Sequence, residues 1–234
     1  MGQDELIPPR TEAARVLAAS VDHTLLDPFA SRDDVERLCL EARVWGCASA
    51  CVHSRWVALA ADTLQPGSTV VCAVVGFPHG ATLSSAKAAE ARACVGLGAR
   101  EIDMVLALGP LRHGEDRVVL EDIREVVDAS GDAIVKVILE AGLLEPDELV
   151  RACTIARDAG ASFVKTSTGF AGVGARVNDV RRMRDVVGEG FGVKASGGIH
   201  TAAQAQAMLD AGADRLGLSR THAVLADLGA WSRG

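Results

Sequence analysis

The chain has 234 residues, 49% of them hydrophobic, enough to bury a large core as one domain or a single barrel, with two domains as the alternative. A net charge of −7 argues against a general binder of nucleic acid or of acidic membranes. Positions 1–17 show neither an apolar signal core nor an Arg-rich, acid-poor leader, and no long apolar span follows, so a soluble cytoplasmic protein without membrane contact is expected.

Short β-rich runs alternate with Ala/Arg/Glu-rich segments of helical period from near residue 18 onward. In chain order the predicted strands are Ala18–Asp22, Cys47–Val52, Thr69–Val75, Glu101–Leu106, Ile134–Glu140, Ser162–Lys165, Gly192–Ala195 and Arg215–Leu218. Residues 1–17 are expected to add an N-terminal helix. Ser31 and Asn178-Asp179 suit helix N-caps, and Thr201 with Gln204 has capping-box spacing. Gly98-Ala99, Gly160-Ala161 and Gly212-Ala213 each close a helix just before a strand, so one βα unit is reused. Eight such units at this length favour an α/β fold of the (β/α)8 TIM-barrel type, a single domain over 1–234, with an open doubly wound sheet as the alternative.

Strand alternation then sorts side chains between helices and lumen. Ile102, Met104 and Leu106 suit the helix side, which turns Asp103 inward; Val135, Val137 and Leu139 do the same for Lys136 and Glu140. Lys165, Lys194 and Asp22 share the inward faces of their strands with Phe163, Gly192 and Ser20, and Gly217 pairs with Ser219. Of the 24 cationic side chains only four are lysines, Lys87, Lys136, Lys165 and Lys194, and three of these converge on one interior. Burying that much charge for packing alone is costly. An amine, unlike a guanidinium, can lose its proton and attack a carbonyl. Two ammonium groups in one pocket are expected to disfavour each other's charge, leaving one amine free to form a Schiff base while an aspartate moves protons.

Ser196-Gly197-Gly198-Ile199 and Gly217-Leu218-Ser219-Arg220 follow the seventh and eighth strands, where this fold places phosphate on exposed backbone N–H groups. Other features carry less. The six histidines show no metal-ligand spacing, so no metal and no cofactor are expected, and His23 reads as a hydrogen-bonded strand end. Lys87 reads as solvated charge on a polar helix face, Gly76-Phe77-Pro78-His79-Gly80 as a shaped loop at the mouth, and the six unpaired cysteines as small buried hydrophobes of a reducing compartment.

Taken together, Val21-Asp-His-Thr-Leu-Leu26, Gly76-Phe-Pro-His-Gly80, Glu101-Ile-Asp-Met-Val105, Lys136-Val-Ile-Leu-Glu140, Phe163-Val-Lys-Thr-Ser-Thr-Gly169 and Lys194-Ala-Ser-Gly-Gly-Ile199 resemble, in this order, the 2-deoxy-D-ribose-5-phosphate aldolase family. The resemblance implies a metal-independent class I aldolase with Lys165 as the Schiff-base lysine, Lys194 as the lysine that perturbs it and Asp103 as the proton relay. Asp22 and Lys136 match supporting positions; Gly169, Gly197, Gly198, Gly217 and Ser219 match the phosphate site. The implied partners are a phosphosugar and acetaldehyde, and the implied assembly is a homodimer. Another Schiff-base aldolase or isomerase of phosphosugars, or a catalytically silent sugar-phosphate binder, is the alternative. The family commonly has arginine where His200 stands, threonine and serine at Leu218 and Arg220, and Thr or Cys at Ala141. These departures are expected to redistribute positive charge at the phosphate end and to open the acceptor side, with Leu218 facing the helices.

Overall fold

A computed structural model describes residues 6–231. The strands are β1 (Val21–Leu25), β2 (Ser49–His53), β3 (Val70–Val75), β4 (Glu101–Val105), β5 (Ile134–Ile138), β6 (Phe163–Lys165), β7 (Gly192–Ser196) and β8 (Arg215–Leu218). They pair in parallel in sequence order, and β8 returns to β1 through Val21 opposite Leu216, closing the barrel and disposing of the open sheet. The helices are α1 (Glu12–Ala18), α2 (Arg32–Trp45), α3 (Val57–Leu64), α4 (Ser84–Gly96), α5 (Leu108–Arg112), α6 (Asp116–Ser130), α7 (Pro146–Asp158), α8 (Val177–Val187), α9 (Ala202–Asp210) and α10 (Thr221–Ala226).

The core lies between strands and helices. Val21, Ala50, Val71, Ile102, Met104, Val135, Val137, Val164, Val193, Leu216 and Leu218 belong to one buried apolar cluster with the helix faces, so Leu218 does face the helices. A second, small cluster of Cys51, Cys72, Val74 and Leu26, with Phe77 against it, lies apart from that layer. The expected helix closures appear as Gly98, Gly160 and Gly212, with φ of 110°, 89° and 105°. Each sits in the left-handed region that costs glycine nothing.

Several local expectations are corrected. The first strand begins at Val21, not Ala18, because α1 runs through Ala18 and Ser20 caps its end, its N–H and hydroxyl both donating to Leu17 O at 3.0 and 2.8 Å. That helix packs on the C-terminal segment, where Thr11 Oγ1 donates to Leu228 O at 2.9 Å, while the expectation for residues 1–5 lies outside the described residues. Ser31 and Thr201 do cap α2 and α9 with capping boxes, but α8 starts from Arg176, two residues before Asn178.

Lys87 is the largest departure. It is fully buried, its Nζ 2.7 Å from Asp122 Oδ2 and donating to Val105 O at 3.0 Å. The polar look of Ser84-Ser-Ala-Lys87 is local, whereas the neutralising carboxylate comes from α6, and a paired, hydrogen-bonded ion can be buried where a lone one cannot. The methylenes of Lys87 also pack under Gly76, where an added Cβ would lie 3.1 Å from its Cε, and Gly76 N donates to Glu90 Oε2 at 3.0 Å. Helix α4 thus carries the loop Gly76–Gly80 from below.

Candidate active site

Inward-facing residues of β1, β3, β4, β5, β6, β7 and β8 meet in one buried cluster. Asp103 is its hub: Oδ2 accepts from Lys165 Nζ and Lys194 Nζ, each at 2.7 Å, and Oδ1 accepts from Lys136 Nζ at 2.8 Å and Cys72 Sγ at 3.1 Å. Asp22 Oδ2 lies 2.5 Å from Lys194 Nζ and 3.6 Å from Lys136 Nζ. Beneath them Glu101 takes Lys136 Nζ at 2.6 Å and Arg215 at 2.8 Å, and Arg215 also binds Asp22. The strand register makes this possible. Asp103 is opposite Lys136, and Lys165 is opposite Lys194, so two adjacent pairs of strands bring their charges to one level.

Four cations face three carboxylates here, which sets the protonation pattern. Burial would raise Asp103, but the ammonium groups of Lys136, Lys165 and Lys194 outweigh it and hold its carboxyl well below the usual carboxylate range. Asp22 is likewise held low, burial being outweighed by Lys194, Lys136 and Arg215. Burial disfavours the charged form of Lys194, yet Asp103 and Asp22 more than offset it, so this amine stays protonated above its ordinary range. The mutual repulsion expected of the two amines is therefore overcome at Lys194 by the carboxylates placed beside it. One cation is in excess of the carboxylates.

Above the cluster opens a cavity of about 760 Å³. Of the cluster only Lys165 contributes to its wall; Asp22, Asp103, Lys136 and Lys194 have no exposed surface. Gly169, Gly197, Gly198, Gly217 and Ser219 line the same cavity, as do Thr168, Phe170, Ser196 and His200. The glycines allow close approach: Ala175 N donates to Gly197 O at 2.9 Å, and a Cβ on Gly174 would lie 2.3 Å from that oxygen. The segment after Lys165 is tied to β7, because Thr166 Oγ1 and Ser196 N are 3.0 Å apart and Ser196 Oγ donates to Ser167 O at 2.6 Å. An amine at the floor with backbone-rich loops at the rim suits a carbonyl compound with an anionic far end.

Residues 16–225 match the family described as DeoC/LacD family aldolase. The chain belongs to this aldolase family. It is 48% identical over 203 residues to a deoxyribose-phosphate aldolase of Clostridium botulinum (strain Loch Maree / Type A3), covering 87% of this chain and 96% of that one. Identity is 49% over 213 residues to a deoxyribose-phosphate aldolase of Caldanaerobacter subterraneus subsp. tengcongensis, covering 90% and 92%. Among solved structures, the tetrameric deoxyribose phosphate aldolase from Aeropyrum pernix is similar with a TM-score of 0.87 and 33% identity, over 93% of this chain and 92% of that one.

In this DeoC/LacD aldolase the structure brings together all ten residues singled out by motif, in one cluster and one cavity wall. Sequence reasoning missed Glu101, Arg215 and Cys72. Each lies in a strand already analysed, and Glu101 and Arg215 stand two residues before an inward residue, so the same alternation extended one step would have included them. Glu140 departs from the alternation. Strand β5 ends at Ile138, and the Glu140 carboxylate reaches Thr168 instead of the lysines. Of the departures from family pattern only His200 reaches the cavity; Arg220 is exposed outside its wall and Ala141 is buried in the helix-side core.

His23 is a hydrogen-bonded strand residue, 2.8 Å from Thr221 Oγ1 and 3.0 Å from Glu41 Oε2. Two donor sets, Cys51 with Cys72 and Asp103, and Asp22 with Cys72 and Glu101, are compact enough for a metal ion. Ammonium groups of Lys136 and Lys194 already stand against their oxygens, so neither set fits a further cation.

Proposed function

We propose that the chain reversibly cleaves 2-deoxy-D-ribose 5-phosphate into D-glyceraldehyde 3-phosphate and acetaldehyde, with Lys165 as the Schiff-base amine. The observation that carries this reading is that Lys165, alone among the clustered lysines, reaches the cavity, while Asp103 binds it at 2.7 Å. The neutral amine adds to the C1 aldehyde and water leaves, giving an iminium. A base takes the proton of the C3 hydroxyl. The electrons of that O–H bond form the C3 carbonyl, the C2–C3 bond breaks, and its pair moves into the iminium to give an enamine. Protonation at C2 and hydrolysis then release acetaldehyde and free the amine.

Asp103, held ionised, is the group within reach for moving these protons directly or through water. Lys194, held charged, supplies a fixed positive field beside the reacting nitrogen. Asp22 and Lys136 support both. The iminium is the electron sink, so no metal or cofactor enters the scheme. Gly169, Gly197, Gly198, Gly217 and Ser219 would hold the phosphate, with the His200 side chain in the same cavity wall. A cytoplasmic homodimer is part of the same reading. It is supported by the family resemblance, and among the described residues no helix is long and apolar enough to cross a membrane.

Incubation with 2-deoxyribose 5-phosphate in excess EDTA tests the reaction. Equal amounts of acetaldehyde and glyceraldehyde 3-phosphate are expected at an unchanged rate. Loss of activity on chelation, or preference for a ketose phosphate, would contradict it.

A further inference from the structure

We infer that Glu140 is a positioning residue that clamps the loop after Lys165 and so sets the affinity for the phosphorylated end of the substrate. The inference rests on the reading of the cavity given above. Beyond the end of β5, Leu139 N donates to Lys165 O at 2.9 Å and Ala141 N to Thr166 O at 2.8 Å. Between these two donors Glu140 adopts φ 52°, the single positive φ outside glycine among the described residues. A side chain in that conformation is strained, and a glycine would occupy it without cost. Strain of this kind persists where the surroundings demand it, often at functional sites.

What the strained side chain does is visible. Glu140 is 3% exposed, and its carboxylate has no cation within ion-pair distance among the described residues. It accepts from Thr168 N at 3.2 and 3.3 Å and from Thr168 Oγ1 at 2.5 Å, and that same hydroxyl oxygen accepts from Phe170 N at 3.1 Å. Both carboxylate oxygens are thus spent on one residue of the loop. Thr168, Gly169 and Phe170 line the main cavity. Behind them lies a pocket of about 80 Å³ with Glu140 in its wall, so packing alone does not hold the loop forward. Lys165 itself is anchored separately, its carbonyl by Leu139 N and the next amide, Thr166 N, by Lys194 O at 3.0 Å. Releasing the clamp should therefore loosen phosphate binding and spare the Schiff base.

The test compares Glu140→Gly, which suits the backbone and deletes the clamp, with Glu140→Gln, which keeps the shape and one amide oxygen. Glu140→Gly is expected to raise KM for 2-deoxyribose 5-phosphate about tenfold, the worth of one lost charged hydrogen bond. Its kcat/KM for unphosphorylated 2-deoxyribose, and borohydride trapping of acetaldehyde on Lys165, should stay within about twofold, since they do not use the clamp. Glu140→Gln should fall between wild type and Glu140→Gly, and it carries the comparison if Glu140→Gly is too unstable to assay. An unchanged KM, or an equal loss on both substrates and in trapping, would overturn the inference. Failure of trapping in the wild-type protein would instead overturn the Lys165 reading.

Discussion

Lys165→Leu is expected to lower kcat/KM for 2-deoxyribose 5-phosphate by on the order of 10⁴-fold or more, because a covalent route has no partial substitute once its nucleophile is gone. The same change should leave the fold intact. The cluster holds Lys136, Lys165, Lys194 and Arg215 against Asp22, Glu101 and Asp103, so removing Lys165 equalises the charges. Leucine fills most of the space at a position that is 3% exposed. Kinetics and a thermal melt of the purified variant check both halves. Substantial remaining activity would move the Schiff base to another amine, and a collapsed melt would show that the charge balance has been misjudged.

Asp103→Asn should be damaging in a different way. It leaves four cations facing Asp22 and Glu101 alone, and it turns one of the two oxygens that accept from Lys136, Lys165 and Lys194 into an amide donor. Breaking a buried ion pair from one side costs about 3–5 kcal/mol, and losing a positioned proton-transfer group costs about 10²–10⁴ in rate. Denaturant unfolding and kcat/KM measure the two effects. The pH dependence has a definite sign. The Asp103 carboxyl is depressed in the folded protein, so its contribution to stability is present above the ordinary carboxylate value of about 4 and is lost as pH falls through the depressed one. Wild type should therefore lose stability in acid more steeply than Asp103→Asn. Equal slopes would mean that the carboxylate is not the hub.

Much of this site was legible in the sequence because a barrel strand translates alternation directly into lumen or helix side. Asp103, Lys136, Lys165 and Lys194 occupy the faces that alternation assigns, and motif placed the glycines of the cavity rim. What escaped depends on partners remote in sequence or on backbone outside the regular strand. Lys87 looked solvated because its partner, Asp122, comes from a helix 35 residues on. Glu140 looked inward because alternation assumes that the strand continues, and the left-handed turn after Ile138 ends it. The first strand was placed early because Ala18-Ala-Ser20 finishes a helix whose packing partner lies at the far end of the chain. Which of the two amines keeps its proton is not legible from sequence for a related reason. Counting lysines predicts repulsion, while the 2.5 and 2.7 Å contacts to Asp22 and Asp103 decide the outcome.

The most direct measurement is reduction of the wild-type protein with borohydride in the presence of acetaldehyde, followed by peptide mass spectrometry. The mass of one ethyl group on Lys165, with Lys194, Lys136 and Lys87 unlabelled, is the expected result. Label on Lys194, or no stable adduct on any lysine, would contradict the assignment of Lys165 as the nucleophile.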